Sequence, residues 1–272
     1  MDAIHAAIVD LLTEEQPMTN RQCFYRLVSS GLVGKTEGEY KQTVCRLLAD
    51  MRLDGTIPFG WSADNTRWMR KPATYSSDEE ALSARARFYR KQLWQNQAHY
   101  VEIWCEKDAL AGVIYEVTEE FDVPLMVTKG YASLSYLHEA AEAIANQRKP
   151  AFLYYLGDHD PSGLNIPENV ERRLRQFAPG AEIHFQRVAV TRDQIAKYRL
   201  QTRPTKTTDS RAARFEGESV ELDAIPPPEL RRIVRDCIEP HVNQEQLRIA
   251  HIAEESERES LKILARSARS HR

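Results

Sequence analysis

Two aspartates one residue apart, Asp158 and Asp160, close an apolar run within Gly157-Asp158-His159-Asp160-Pro161-Ser162-Gly163. Carboxylates at i and i+2 on a turn can point into one cavity. Left alone they repel, and one of them would hold its proton. A hard divalent cation removes that conflict, and Mg2+ is usually held by one or two carboxylates together with phosphate oxygens. Asp, Pro, Ser and Gly are also ordinary turn residues, so an isolated D-x-D reads first as a plain strand-to-helix loop. A second acid changes the balance. Glu106 ends another strand-like run, Val101-Glu102-Ile103-Trp104-Cys105, and precedes Lys107 and Asp108. If the two runs lie side by side, Glu106 faces Asp158 and Asp160 across one edge. The three carboxylates then make a metal site for Mg2+, with Mn2+ as a substitute.

The elements that must position these acids follow from hydrophobic pattern. Ala151 to Leu156 is a short continuous apolar run, the mark of a strand buried on both faces. Its acids fall at the carboxyl end, where open α/β sheets place their chemistry. From Tyr100 onward strands and helices alternate: strands at 101–105, 124–127, 151–156 and 182–190, helices at 108–120, 133–146 and 164–176. This grammar predicts a parallel sheet covered by helices. Residues 191–228 read as irregular, and helices follow at 229–238 and 243–265.

The amino-terminal part is mostly helical. Ile4, Ile8, Leu11 and Leu12 mark one helix face, and Pro17 breaks it. Thr19 with Gln22 is a capping box that opens a helix to Ser29. Cys23, Phe24, Leu27 and Val28 form its apolar stripe. Tyr25 falls off that stripe, on the polar side with Arg21 and Ser29. A third helix spans 39–53. An extended stretch with Trp61, Arg67, Trp68, Arg70 and Lys71 comes after it. Three short helices and a small hairpin are the pattern of a winged helix-turn-helix, whose later helix enters the major groove. A helical subdomain with a solvated basic face would have the same pattern. Ser77 with Glu80 caps a further helix, to Gln97, that carries Arg85, Arg87, Arg90 and Lys91. Its charges can track a phosphate backbone or merely solvate an exposed face. The division is therefore 1–75, a winged-helix domain; 76–99, a connecting helix; and 100–272, the α/β domain with a helical extension.

Composition narrows the class. The 272 residues carry a net charge of −3, so there is no overall nucleic-acid signature and any such contact must be local. Local patches exist: ten Lys/Arg against six Asp/Glu between Lys41 and Lys91, and seven against two between Arg192 and Arg214. Cys23, Cys45, Cys105 and Cys237 form no C-x-x-C pair, which argues against zinc and fits a reducing cytoplasm. No signal pattern and no apolar run of membrane length is present.

Taken together, the motifs resemble a known family. A strand ending in Glu106, then one ending in Asp158-His159-Asp160 before Pro161-Ser162-Gly163, resembles a Toprim domain, the metal-binding module of topoisomerases, primases and related nucleases. Arg21-Gln22-Cys23-Phe24-Tyr25 is similar to the catalytic tyrosine motif of topoisomerase VI A subunits and the meiotic double-strand-break protein. Glu218-Ser219-Val220-Glu221-Leu222-Asp223-Ala224-Ile225 resembles their carboxy-terminal segment. The chain looks most like the reduced, stand-alone A-type proteins of phages and other mobile elements. It is shorter than a full A subunit and has no ATPase of its own, so any ATPase would be a separate subunit.

The resemblance implies that Tyr25 attacks a phosphodiester of double-stranded DNA and forms a 5′-phosphotyrosyl link. Arg21, one turn away, would stabilise the phosphate or the phenolate. Glu106, Asp158 and Asp160 would hold one or two Mg2+ ions. A homodimer is implied, with the tyrosine of one subunit at the metal site of the other and a DNA channel between them. Arg46, Arg52, Arg85, Arg87 and Arg211 are candidates to line that channel. Lys107, Lys129 and Ser162 sit beside the metal edge and could contact phosphate or be surface residues. Two alternatives stay open: a Toprim nuclease that hydrolyses DNA with water, as in plasmid-defence systems, with Tyr25 packed on the wing, and a non-catalytic DNA-binding protein.

Overall fold

Four apolar runs pair as parallel strands in a computed structural model that describes residues 2–63, 72–204 and 218–269. They are β1 (Tyr100–Cys105), β2 (Leu125–Val127), β3 (Ala151–Leu156) and β4 (Ile183–Ala189), in the order β2-β1-β3-β4. Parallel neighbours cannot be joined by a tight turn, so each connection carries a helix. These are α5 (Ala111–Glu120), α6 (Leu134–Gln147) and α7 (Pro161–Phe177). On one face, Leu137, Ala141 and Ile144 of α6 and Val170 and Leu174 of α7 pack against Tyr100, Trp104, Leu153 and Tyr155. α5 packs against α9 (Pro227–Ile238), with Val113, Ile114 and Val117 buried on the first and Leu230, Val234 and Ile238 on the second. α/β architecture with a covered parallel sheet is thus present.

β1 and β3 are neighbours in register, from Tyr100 against Ala151 to Cys105 against Leu156. Both strands end at the same level, and the Glu106 amide donates to the Leu156 carbonyl at 2.9 Å. That register sets Glu106 beside Gly157 and Asp158.

Within β1 the alternation of side chains places Glu102 on the same face as Tyr100 and Trp104. It is 1 % exposed and accepts from the Tyr100 hydroxyl and from Trp104 Nε1, each at 2.8 Å. Burial pushes its carboxyl up to about 7, against the pull of those two hydrogen bonds. Because the folded pKa lies above the unfolded one, this group's stability contribution is complete below pH 4.5 and is lost as pH rises through 7. The loss is about 3 kcal/mol from the linkage relation. Glu102→Gln keeps an acceptor for Trp104 and a partner for Tyr100 without a charge. Thermal unfolding is expected to show it stabilised at pH 8 and near wild type at pH 4.5; an equal effect at both pH values would contradict the assignment.

The amino-terminal helices are α1 (Asp2–Glu15), α2 (Asn20–Ser29) and α3 (Cys45–Leu53), the last preceded by a π-helical turn, Glu39–Val44. The Thr19 capping box is formed. Arg231 of α9 donates to the carbonyls of Glu15, Gln16 and Pro17, which fastens the start of α2 to the sheet's helical cover. Of the polar side expected of α2, Ser29 is exposed and Arg21 partly so, but Tyr25 does not face solvent. Tyr25 is 4 % exposed, because a 3-10 turn, Leu222–Ala224, packs across α2. A bridge joins Met18 to Ser62, and a 3-10 turn spans Phe59–Trp61. The rest of the expected hairpin, with Arg67, Trp68, Arg70 and Lys71, lies outside the described residues.

The described residues 2–63 and 100–239 make one compact unit, and 72–99 with 240–269 make a second. In the second, α4 (Asp78–Phe88) packs along α10 (Gln244–Arg269). The helix expected to reach Gln97 stops at Phe88. Its continuation is captured by α10: Arg258 donates to the Tyr89 carbonyl at 3.0 Å, and the Lys91 amide donates to Glu254 at 2.7 Å. The described residues of 191–228, namely 191–204 and 218–228, are more regular than their composition implied. They contain α8 (Arg192–Lys197), opened by a Thr191–Gln194 capping box, and a bridge between Arg203 and Ser219. A six-residue helix gives too few turns for its periodicity to be seen in sequence.

Candidate functional site

Three sets of contacts build the acidic turn. Asp160 is the N-cap of α7: it accepts from the Gly163 amide at 2.7 Å, and Pro161 follows at the first helical position. The helix therefore starts at Pro161, three residues before its expected start. Beneath the turn, Arg187 of β4 donates to the Asp158 carbonyl at 2.9 Å. His159 pairs with Val220 through two backbone hydrogen bonds, which zips the 219–222 segment onto the turn.

Glu106 Oε2 accepts from the Asp158 amide at 3.3 Å. Burial, with Asp158 and Asp160 nearby, pushes the Glu106 carboxyl up to about 7. Asp158 is 9 % exposed, and its Oδ1 accepts from the Leu222 amide at 2.8 Å and from Lys107 Nζ at 3.0 Å. Burial raises the Asp158 carboxyl, with Lys107 and the Leu222 amide opposing. Glu106 thus sits in the field of both aspartates at one sheet edge.

Lys107 bridges this edge to the carboxy-terminal segment. Its ammonium lies 2.7 Å from Asp223 Oδ2, 3.0 Å from Asp158 Oδ1 and 3.6 Å from Glu221 Oε2. Burial works against its charge, but Asp223, Asp158 and Glu221 hold its pKa above the ordinary value. Glu221 also pairs with Arg203 at 2.6 Å and with Arg21 of α2 at 3.9 Å. Arg203 in turn reaches Asp160 at 4.0 Å. Burial would raise the Glu221 carboxyl; Lys107, Arg203 and Arg21 outweigh it and hold it low.

Tyr25 borders this network. Burial and the Glu221 charge push its phenol up to about 12, while Arg21, Arg203 and Lys107 pull the other way. Lys35 Nζ lies 5.5 Å from the ring centroid, and Phe24 packs edge-on at 5.6 Å. Arg21 stacks its guanidinium 3.9 Å from the Tyr40 ring and pairs with Glu37 at 3.3 Å.

Among the described residues no group of three or more His, Cys, Asp or Glu side chains is drawn together closely enough to hold a metal ion as it stands. The donor set nevertheless suits a hard cation. All three side chains are carboxylates, and burial penalises the charges of Glu106 and Asp158. Space is cut for them: a Cβ on Gly157 would stand 2.6 Å from Glu106 Oε2.

The other expected contacts are more dispersed. Arg46 is exposed and pairs with Asp50 at 3.8 Å; Arg52 donates to the Leu48 carbonyl at 2.8 Å. Arg85 and Arg87 are exposed on α4. Lys107 is committed to carboxylates, and Lys129 pairs with Asp108 at 3.0 Å. Arg211 lies outside the described residues. Sequence reasoning named the segment from Glu218 to Ile225 but gave Glu221, Asp223 and Arg203 no role at the site. The i, i+2 acids of Glu221-Leu222-Asp223 repeat the spacing of Asp158 and Asp160, and that was the available signal.

Comparison with protein-family models and with curated proteins gives no match. Among the described residues no helix is long and apolar enough to cross a membrane.

Proposed function

We propose that this chain is an Mg2+-dependent DNA-cleaving transesterase, built as a winged-helix domain followed by a Toprim domain and related to type IIB topoisomerase A subunits. The observation that carries the reading is the shared ion network. Lys107 and Arg203, whose charges reach Tyr25, are the side chains that pair with Asp158 and Asp160. A tyrosine, a cationic cluster and an acidic edge, the groups this chemistry uses, are linked within one chain.

In the proposed step the Tyr25 hydroxyl oxygen attacks a backbone phosphorus of double-stranded DNA. One P–O bond forms to the tyrosine and one breaks to the 3′ oxygen. The phenolic proton ends on the released 3′-hydroxyl, and no water is consumed. Arg21 and Arg203 would hold the phosphate oxygens, an interaction worth most where water is excluded. Glu106, Asp158 and Asp160 would hold Mg2+ or Mn2+, which when bound supplies Lewis-acid polarisation of the phosphate. Arg46, Arg52, Arg85, Arg87 and Arg211 would meet the DNA backbone away from the chemistry. The protein would act in the cytoplasm as a homodimer with two composite sites, and any ATPase would be a separate partner.

The test is denaturing electrophoresis after incubation with supercoiled plasmid and Mg2+ or Mn2+. The expected product is a DNA break with protein covalently attached at the 5′ end. Mixing a Tyr25→Phe chain with an Asp158→Ala chain is expected to restore part of the adduct, since a mixed dimer keeps one intact composite site. No restoration would place the tyrosine and the acids of one chain at the same bond. One observation favours a second reading: Tyr25 is buried, and its phenol is shifted away from ionisation. A nuclease that uses water instead would produce breaks without any adduct.

A further inference from the structure

Lys107 has an unusual place for a lysine beside a metal edge. Its ammonium is shared among one carboxylate of the acidic turn and two of the carboxy-terminal segment, all within 3.6 Å. The far ends of that sharing reach the tyrosine helix twice. Asp223 Oδ1 accepts from the Thr19 hydroxyl at 3.4 Å, and that same hydroxyl accepts from the Gln22 amide to cap α2. Glu221 pairs with Arg21, one helical turn before Tyr25. We propose that Lys107 is a positioning residue that passes cation binding at the acidic turn on to the tyrosine helix through Asp223 and Glu221. The inference rests on the metal assignment above.

The physical argument is competition for one oxygen. Asp158 Oδ1 holds both Lys107 and the Leu222 amide. A divalent cation at the turn draws on the Asp158 charge and repels the ammonium. The ammonium is drawn toward the partners it already has, Asp223 and Glu221, whose side chains are 4 % and 11 % exposed and have little water to replace it. Glu221 is then more fully neutralised, and its hold on Arg21 weakens. The field at Tyr25 becomes more positive, which is the direction that favours phenolate. Coupling of this kind needs differential contacts in the two states, and the Asp158–Lys107 pair provides them.

The test uses the full-length chain with 3-fluorotyrosine at position 25, read by 19F NMR during an Mg2+ titration, with calorimetry reporting Mg2+ binding. In wild type the resonance is expected to move as Mg2+ saturates. In Lys107→Gln, Mg2+ should bind at least as tightly, because a competing cation is gone, and the resonance should stay still. Lys107→Arg keeps the charge and should restore the movement. Asp223→Asn, which alters none of the proposed ligands themselves, should uncouple the resonance with Mg2+ binding retained, and it serves where Lys107→Gln fails to fold. A purely structural Lys107 predicts weakened Mg2+ binding in Lys107→Gln instead, and that result would overturn the inference. So would a resonance that moves in Lys107→Gln or Asp223→Asn as it does in wild type. Absence of Mg2+ binding in wild type would overturn the metal assignment and this inference with it. Binding without any movement in wild type would overturn the inference alone.

Discussion

Tyr25→Phe is expected to abolish the covalent adduct and the DNA breaks together, while leaving the unfolding midpoint almost unmoved. The two halves of this expectation have separate causes. Removing the nucleophilic oxygen removes the bond-forming atom, so the loss should exceed about a thousandfold, the scale seen when a nucleophile is deleted. For stability only the hydroxyl is deleted. Its environment already disfavours charge, and the ring keeps its contact with Phe24, so the change should stay within about 0.5 kcal/mol. Asp158→Ala differs on the second count. It too should stop cleavage, but it leaves the Leu222 amide without its acceptor and removes one of the three carboxylates that hold the Lys107 ammonium, at a cost of about 1–3 kcal/mol. Activity loss with intact stability in the first variant, and with reduced stability in the second, separates chemistry from scaffolding. Breaks that persist in Tyr25→Phe would transfer the reaction to water.

The raised phenol pKa adds a pH signature to the wild type. With a value of about 12, only a small fraction of Tyr25 is phenolate near neutrality, and that fraction rises about tenfold per pH unit. If attack by phenolate limits the rate, single-turnover adduct formation should climb with that slope between pH 7 and 9. The cations around Tyr25 are then the groups that make the reaction practicable at all, because each lowers the phenol pKa against burial.

Much of the sheet was legible because parallel strands buried on both faces leave continuous apolar runs. Ala151–Leu156 was found to the residue, and the three other strands within one or two at either end. The meeting of Glu106 with the Asp158 turn was legible as a consequence of strand adjacency. What was not legible depends on contacts distant in sequence. Periodicity placed Tyr25 on the polar side of α2, and that is correct for the isolated helix. The segment that covers it, Leu222–Ala224, lies about two hundred residues away and carries no helical or strand pattern of its own. The same cause hid Glu221 and Arg203, whose importance is that they meet and not what they are. The early end of α4 was hidden likewise, because Arg258 and Glu254 of another helix take its backbone groups.

The glycines of the acidic turn give the sharpest separation between folding and metal binding. At Gly163 a Cβ would stand 2.1 Å from the Asp158 carbonyl oxygen and 2.8 Å from its carbon. Both are backbone atoms, and that carbonyl is already held by Arg187. Moving them apart also strains the Asp160 cap on the Gly163 amide. Gly163→Ala should therefore lose roughly 3–5 kcal/mol, at the upper end for a single substitution. At Gly157 the nearest atoms are side chains: Glu106 Oε2 at 2.6 Å and Tyr155 Cε1 at 2.7 Å. The carboxylate can swing aside, but the fully buried Tyr155 ring must also give, so Gly157→Ala should cost about 2–3 kcal/mol, and it moves Glu106 out of the edge. Thermal unfolding should rank the two variants with Gly163→Ala the less stable. Calorimetry at a temperature where Gly157→Ala is folded should show Mg2+ binding lost or weakened at least tenfold. If Gly157→Ala binds Mg2+ like wild type, Glu106 is not a ligand, and the acidic site shrinks to the two aspartates whose spacing first marked it.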